Sequence, residues 1–161
     1  MSPWLINAIA FLGAYFAMEF VAWSNHKYIM HGFGWFLHKS HHEQRHGRFE
    51  WNDVYFIVYA SMSMVFFYLG WEHFDYRFWI GAGIASYGLT YFILHDIFIH
   101  NRIKLFRRTR WRYFEAMRRA HKMHHKHMHK EDGEEFGMLI FNPKYYKILD
   151  AQNLLKKSHK E

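Results

Sequence analysis

The chain has 161 residues, one domain's worth, with 15 His, no Cys and aromatic residues at 22%. The lack of Cys excludes disulfides and every thiolate-held metal site, which leaves imidazole and carboxylate as metal donors. The formal charge of +7 belongs to one end, because 16 of the 21 Lys+Arg follow Asn101.

No basic n-region and no small-residue cleavage site accompany the first apolar run, so neither a signal peptide nor a transit peptide is expected. Such a chain fits direct delivery to a bacterial membrane. Residues 4–23 form an apolar stretch charged only at Glu19, and residues 54–71 and 78–94 are uncharged apolar stretches. At ~1.5 Å per helical residue, each is long enough to cross a ~30 Å hydrocarbon core. Trp4, Trp71, Tyr76 and Trp79 would mark one interface, and Trp23, Tyr28, Trp51 and Tyr55 the other. The loop 24–53 carries Lys27, Lys39, Arg45 and Arg48, and the tail 101–161 carries most of the remaining positive charge. The positive-inside rule places both in the cytoplasm and the 72–77 connection outside. The expected architecture is an all-α integral membrane protein, a single domain over 1–161. It has three transmembrane helices and a cytoplasmic histidine-rich helical cap, in the bacterial cytoplasmic (inner) membrane. Within the tail, Phe114, Met117, His121, His124, His125 and Met128 recur at helical spacing, predicting an amphipathic helix over 111–128. A turn is predicted over 131–135. The stretch 136–149 is too short to span, and the remaining residues read as a frayed end.

The histidines fall into motifs. His26 and His31 form an H-x4-H, as do His95 and His100; His38, His41 and His42 form an H-x2-H-H, as do His121, His124 and His125. Positions i, i+3 and i+4 share a helical face, so each H-x2-H-H points three imidazoles in one direction. Positions i and i+5 lie roughly 140° apart on a straight helix of ~3.6 residues per turn. An H-x4-H pair must therefore straddle two ions or sit where a helix ends. The topology puts all ten on one membrane side. Ten nitrogen donors are too many for one ion, so two ions are expected, although imidazole alone does not select among Zn, Fe, Cu and Ni. The Glu-x-x-His pattern of water-soluble di-iron proteins occurs only at Glu43-x-x-His46. His46, His127 and His129 lie near the motifs and are left out of the ligand set, and His73 lies on the opposite face.

Asp96 adjoins His95 and is placed to orient its imidazole. Glu19 lies within a span, where a carboxylate is costly and functional. It is two turns before His26, roughly 10 Å at ~1.5 Å per residue, and is expected to line a substrate path rather than touch that histidine. Gly81-Ala-Gly83-Ile-Ala-Ser86 lies inside a span and lacks the context of a dinucleotide site. No bound nicotinamide or flavin is expected, and electrons must come from a partner drawn to the basic surface.

Two rival classes share parts of this pattern. His42-Glu43-Gln44-Arg45-His46 matches the H-E-x-x-H of zinc metalloproteases. The basic tail would also suit an anionic ligand, although three spans argue against nucleic acid.

The residues between the histidines resemble a known family. His26-Lys-Tyr-Ile-Met-His31-Gly-Phe-Gly-Trp35, His38-Lys-Ser-His41-His42-Glu-Gln-Arg, Phe49-Glu-Trp-Asn-Asp53, Trp79-Ile-Gly-Ala-Gly-Ile, His95-Asp96, Ala120-His-Lys-Met-His-His125 and Phe136-Gly137 resemble the bacterial β-carotene hydroxylases, within the wider membrane fatty acid hydroxylase superfamily. The resemblance covers roughly residues 18 to 142. It implies a non-haem di-iron monooxygenase that uses O2 to hydroxylate carbon 3 of a carotenoid β-ionone ring, turning β-carotene into zeaxanthin through β-cryptoxanthin. It also implies ten histidine iron ligands and a ferredoxin-type electron donor with its reductase. The family is often drawn with four spans, against three found here. Carotenoid ketolases and fatty acid hydroxylases share the histidine boxes and stand as the alternative.

Overall fold

A computed structural model describes residues 1–43, 49–105, 109, 111–127 and 133–158 of the chain. Helix α1 spans Pro3–Ser24, with a proline in its first turn where a missing N–H costs nothing. It continues as a π-helical segment, Asn25–Phe33, that kinks at Gly32. Helix α2 follows at Trp35–His42. Helix α3 covers Asp53–Gly70. Helix α4, Tyr76–Tyr91, opens on an Asp75 cap that accepts the Arg77 N–H and runs on as a second π-helical segment, Phe92–Ile99. Helices α5, Arg112–His124, and α6, Lys144–Ser158, complete the described chain.

Among the described residues three helices are long and apolar enough to cross a membrane: Pro3–Phe33, Asp53–Gly70 and Tyr76–Ile99. Leu12, Phe16 and Phe20 on α1, and Phe56, Ile57, Met64 and Val65 on α3, are exposed. That continuous apolar surface is tolerable only against lipid. The first and third spans are longer than the sequence suggests, because each runs on through its π-helical segment. The first H-x4-H motif is therefore built into a span end, and the second runs from inside a span to the residue that caps it.

Helix α4 is the hub, packed by both α1 and α3. Gly81 and Gly83 make this geometry possible, since they lie ~200° apart on the helix and face different neighbours. A Cβ at Gly81 would meet the Ser63 carbonyl at 2.9 Å, and one at Gly83 would meet the Phe11 carbonyl at 2.4 Å. Small residues of this kind let membrane helices approach backbone to backbone. Met18, Ile84 and Tyr87 form the core of the bundle. A second cluster, Phe98, Ile99, Met117 and Met138, joins the end of the third span to the cap.

The tail departs from its sequence reading at its end. The supposedly frayed end is α6, which Asn142 begins by accepting the Lys144 N–H at 2.9 Å, with Pro143 just ahead of the first turn. Its Tyr145 is fully buried against Ala116 and Ala120 of α5, a tertiary contact that hydropathy does not reveal. Residues 133–142 form an irregular strap between these helices. Of the turn predicted over 131–135, only Gly133–Glu135 is described, with Glu135 in the left-handed region at φ 62°.

Candidate metal centre

The π-helical segments solve the problem posed by the H-x4-H spacing. A π turn closes i→i+5 hydrogen bonds, as His100 N–H does to the His95 carbonyl at 2.9 Å. Residues five apart then stack rather than diverge. The His26 and His31 ring centroids lie 5.2 Å apart, and those of His95 and His100 4.5 Å. Each pair thus serves one cluster and does not straddle two.

The straddling is done by the H-x2-H-H boxes, contrary to the expectation that each would aim three imidazoles at one point. His38 and His42 of α2 join His26, His31 and His124 in one cluster. His41 joins His100, His121 and His125 in the other. In each cluster the donor atoms lie within 4.8 Å of one another. The i and i+4 histidines of a box go one way and the third goes the other, so α2 and α5 each stitch the two clusters together. His95 completes the second group, its ring 4.5–4.8 Å from those of His41, His100 and His121.

Hydrogen bonds outside the clusters fix which nitrogen faces inward. His26 Nδ1 meets the Phe136 carbonyl at 2.9 Å, His38 Nδ1 the Asn52 Oδ1 at 2.7 Å and His124 Nδ1 the Glu134 carbonyl at 3.0 Å. His41 Nδ1 meets Glu50 at 3.0 Å and His95 Nδ1 meets Asp96 at 3.4 Å. These partners can only accept, so each Nδ1 carries the proton and each Nε2 presents a bare lone pair. His26 Nε2 and His38 Nε2 then face each other at 3.0 Å with no proton between them. Among the described residues, His41 Nε2 and His95 Nε2 are buried with no hydrogen-bond partner. Converging lone pairs and orphaned buried nitrogens are costly unless a cation lies among them.

The spacing also fits a metal. Inward nitrogens approach at 2.9–3.2 Å for His31–His124, His38–His42, His100–His121 and His121–His125. Bonds of ~2.1 Å at right angles would put donors ~3.0 Å apart. Five imidazoles in the first cluster exceed the four of a tetrahedral structural zinc site. Burial pushes His38 down to about 3 against the pull of its Asn52 bond, and burial with the neighbouring imidazoles pushes His124 to about 3 and His125 to about 2. His41 and His121 are lowered for the same reasons, burial first. At neutral pH these imidazoles carry no charge and hold their lone pairs ready for a metal.

The structure reassigns Glu19. It does not line the apolar cavity. Its Oε1 accepts the backbone N–H groups of Met138, Leu139 and Ile140 at 2.8–3.0 Å, and its Oε2 accepts the Tyr87 hydroxyl at 2.7 Å. Glu19 is the anchor of the strap, whose carbonyls at Glu134 and Phe136 orient His124 and His26. Asp96 does contact His95, and it is braced by Arg102 at 2.7 Å. Of the histidines set aside, His127 belongs to neither cluster, His73 is exposed beside Glu72, and His46 and His129 lie outside the described residues. Glu50, Asn52 and Arg102 escaped the sequence analysis, although Glu50 and Asn52 lie in the Phe49–Asp53 stretch that carries the resemblance.

Beside both clusters, an apolar cavity of about 360 Å³ runs between the three spans. Met18, Met64, Phe67, Leu89 and Phe92 line its length, and His26 and His95 stand at its head. Tyr91 lies against His95, ring centroids 4.7 Å apart.

Together these features define a helical membrane protein with two histidine clusters able to hold metal at one end of an apolar cavity. The chain matches the fatty acid hydroxylase family model over residues 11–142 and belongs to that family. It is similar to the β-carotene hydroxylase of Pantoea ananas, 43% identical over 140 residues covering 87% of this chain and 80% of that one. With the β-carotene hydroxylase of Pseudescherichia vulneris it shares 35% identity over 155 residues, 96% of this chain and 86% of that one. The chloroplastic β-carotene hydroxylase 1 of Capsicum annuum is 33% identical over 83% of this chain and 42% of its own length. No solved structure matches the chain.

Proposed function

We propose that the chain hydroxylates carotenoid β-ionone rings at carbon 3, taking β-carotene through β-cryptoxanthin to zeaxanthin, with O2 as co-substrate and two irons held by the ten clustered histidines. The observation that carries this is the cavity: it is apolar, opens within the membrane-spanning bundle, and ends at a histidine from each cluster. Its volume of about 360 Å³ lies within the ~300–1,000 Å³ typical of ligand pockets. Bound iron would supply the oxygen chemistry that no side chain here can perform. The chain's own residues do the positioning. Met18, Met64, Phe67 and Leu89 hold a hydrocarbon ring by dispersion and exclude water, and Tyr91 fixes the plane of His95. Asn25, next to His26 in sequence, donates to Tyr59 at 2.6 Å, and both line the cavity.

Electrons would come from a ferredoxin-type carrier and its reductase, attracted to the basic cap. This requires the loop and tail to face the cytoplasm of the inner membrane, as the Lys/Arg distribution indicates. Reporter fusions at Gln44 and at Glu161 should both report the cytoplasm; opposite sides would refute that arrangement.

The protease pattern fails on geometry. Helix α2 stops at His42, and Glu43 sits in extended backbone at φ −88°, ψ 168°, half-exposed and paired with Lys39 at 3.2 Å. A general base must reach the metal-bound water, and Glu43 points its carboxylate at a surface lysine instead. Glu43→Gln should therefore keep ring hydroxylation within about 10-fold of the parent, the lower end of outer-partner effects. That hydroxylation should require both O2 and an electron donor. Peptide cleavage that persists without O2 and disappears in Glu43→Gln would replace the oxygenase with a hydrolase.

A further inference from the structure

The two clusters differ in what stands behind their histidines. In the first, the acceptors on His26, His38 and His124 are all neutral: the Phe136 carbonyl, the Asn52 amide oxygen and the Glu134 carbonyl. In the second, the acceptors on His41 and His95 are both carboxylates, Glu50 and Asp96. Asp96 and the backbone of Glu50 are tied together through Asp53 and Arg102. Arg102 bridges Asp96 at 2.7 Å to both oxygens of Asp53 at 2.8 Å, and Asp53 in turn accepts the backbone N–H of Glu50 at 3.0 Å. Arg102 thus holds two carboxylates, Asp96 and Asp53, and both carboxylates that face a cluster histidine, Glu50 and Asp96, stand behind the second cluster.

We infer that Glu50 and Asp96 make the two metal positions electronically unequal, so that the His41/His95 side is the stronger donor and favours the more highly charged ion. The inference deepens the proposed function and rests on iron occupying both clusters. The physical basis is general. A carboxylate accepting the Nδ1–H hydrogen bond of an imidazole raises the basicity of Nε2 and strengthens its bond to a metal, whereas an amide or peptide carbonyl does so weakly. The effect is larger in a dry site, where His41 and His95 are both buried, because fixed charge is poorly screened there. Arg102 is a positioning residue in this scheme: it holds Asp96 and Asp53 in place. The arrangement also gives the Phe49–Asp53 stretch a role, since one short segment carries the carboxylate for His41 and the amide for His38.

The test uses the purified full chain loaded anaerobically with ferrous iron-57 and read by Mössbauer spectroscopy alongside an iron-binding isotherm. The expected spectrum holds two ferrous doublets of equal area. Glu50→Gln should shift one doublet only and weaken iron binding at that position about 10–100-fold, the scale for outer hydrogen-bond partners. Asn52→Asp should shift the other doublet and bring the two closer together. If Glu50→Gln no longer loads iron, Asn52→Asp decides alone: convergence of the doublets supports the inference, and an unchanged separation overturns it. A single doublet in the parent chain, or both doublets moving together in either variant, also overturns it. A parent chain that binds no iron would instead sink the iron assignment beneath it.

Discussion

His124→Ala is expected to lower carotenoid ring hydroxylation by more than about 100-fold, beyond the range set by outer hydrogen-bond partners. The side chain has no exposed surface, and its ring lies 4.4 Å from His26 and 4.9 Å from both His31 and His42. Its box neighbours His121 and His125 serve the other cluster, so no residue of α5 can replace it. Removing the imidazole takes one donor from the five-histidine cluster and strips the Glu134 carbonyl of its partner. The measurement is product formation together with bound metal, with His73→Ala as the control because that residue is exposed at the far end of the bundle. Equal activity in the two variants would remove His124 from the site.

Glu19→Leu should be nearly as damaging, although Glu19 touches no histidine. The substitution leaves three strap N–H groups and the Tyr87 hydroxyl without their acceptor at the depth of a membrane span. Water is scarce there, and each orphaned donor costs about 1–3 kcal/mol. Four such losses rival the whole stability of a typical domain, about 5–15 kcal/mol. Release of the strap would follow, and with it the carbonyls that orient His26 and His124. Limited proteolysis should then cut the tail of Glu19→Leu far faster than that of the parent, with loss of hydroxylation. Glu19→Gln should recover much of both, since its amide oxygen can still accept the three N–H groups. A Glu19→Leu chain as protease-resistant as the parent would show that the strap is held by packing alone.

Glu19 also shows where the sequence stopped being informative. That a carboxylate inside an apolar run has a function follows from its cost, but its partners lie 119–121 positions away on backbone amides, which no local pattern marks. The ten histidines were legible because their spacing repeats and because hydropathy and Lys/Arg place them on one side. Their division into clusters was not. Helical geometry groups i, i+3 and i+4 on a face, yet two nearby ion positions can split that face, which separates His41 from His38 and His42. The π-helical segments likewise left no mark beyond the odd i, i+5 spacing of His26–His31 and His95–His100. Glu50 and Asn52 were hidden because a loop residue's partner is chosen by how the chain returns, here from α2 to α3. Helix α6 was missed because its packing rests on Tyr145 and Leu149, two buried residues in a stretch whose polar residues hide any amphipathic pattern.

The central claim is ring hydroxylation, and the most direct measurement is pigment analysis of a β-carotene-producing bacterial host that expresses this chain aerobically. β-Cryptoxanthin and zeaxanthin are expected at the expense of β-carotene, and none of either without O2. Unchanged β-carotene, or a ring bearing a ketone in place of the hydroxyl, from cells whose membranes contain the iron-loaded chain would contradict it.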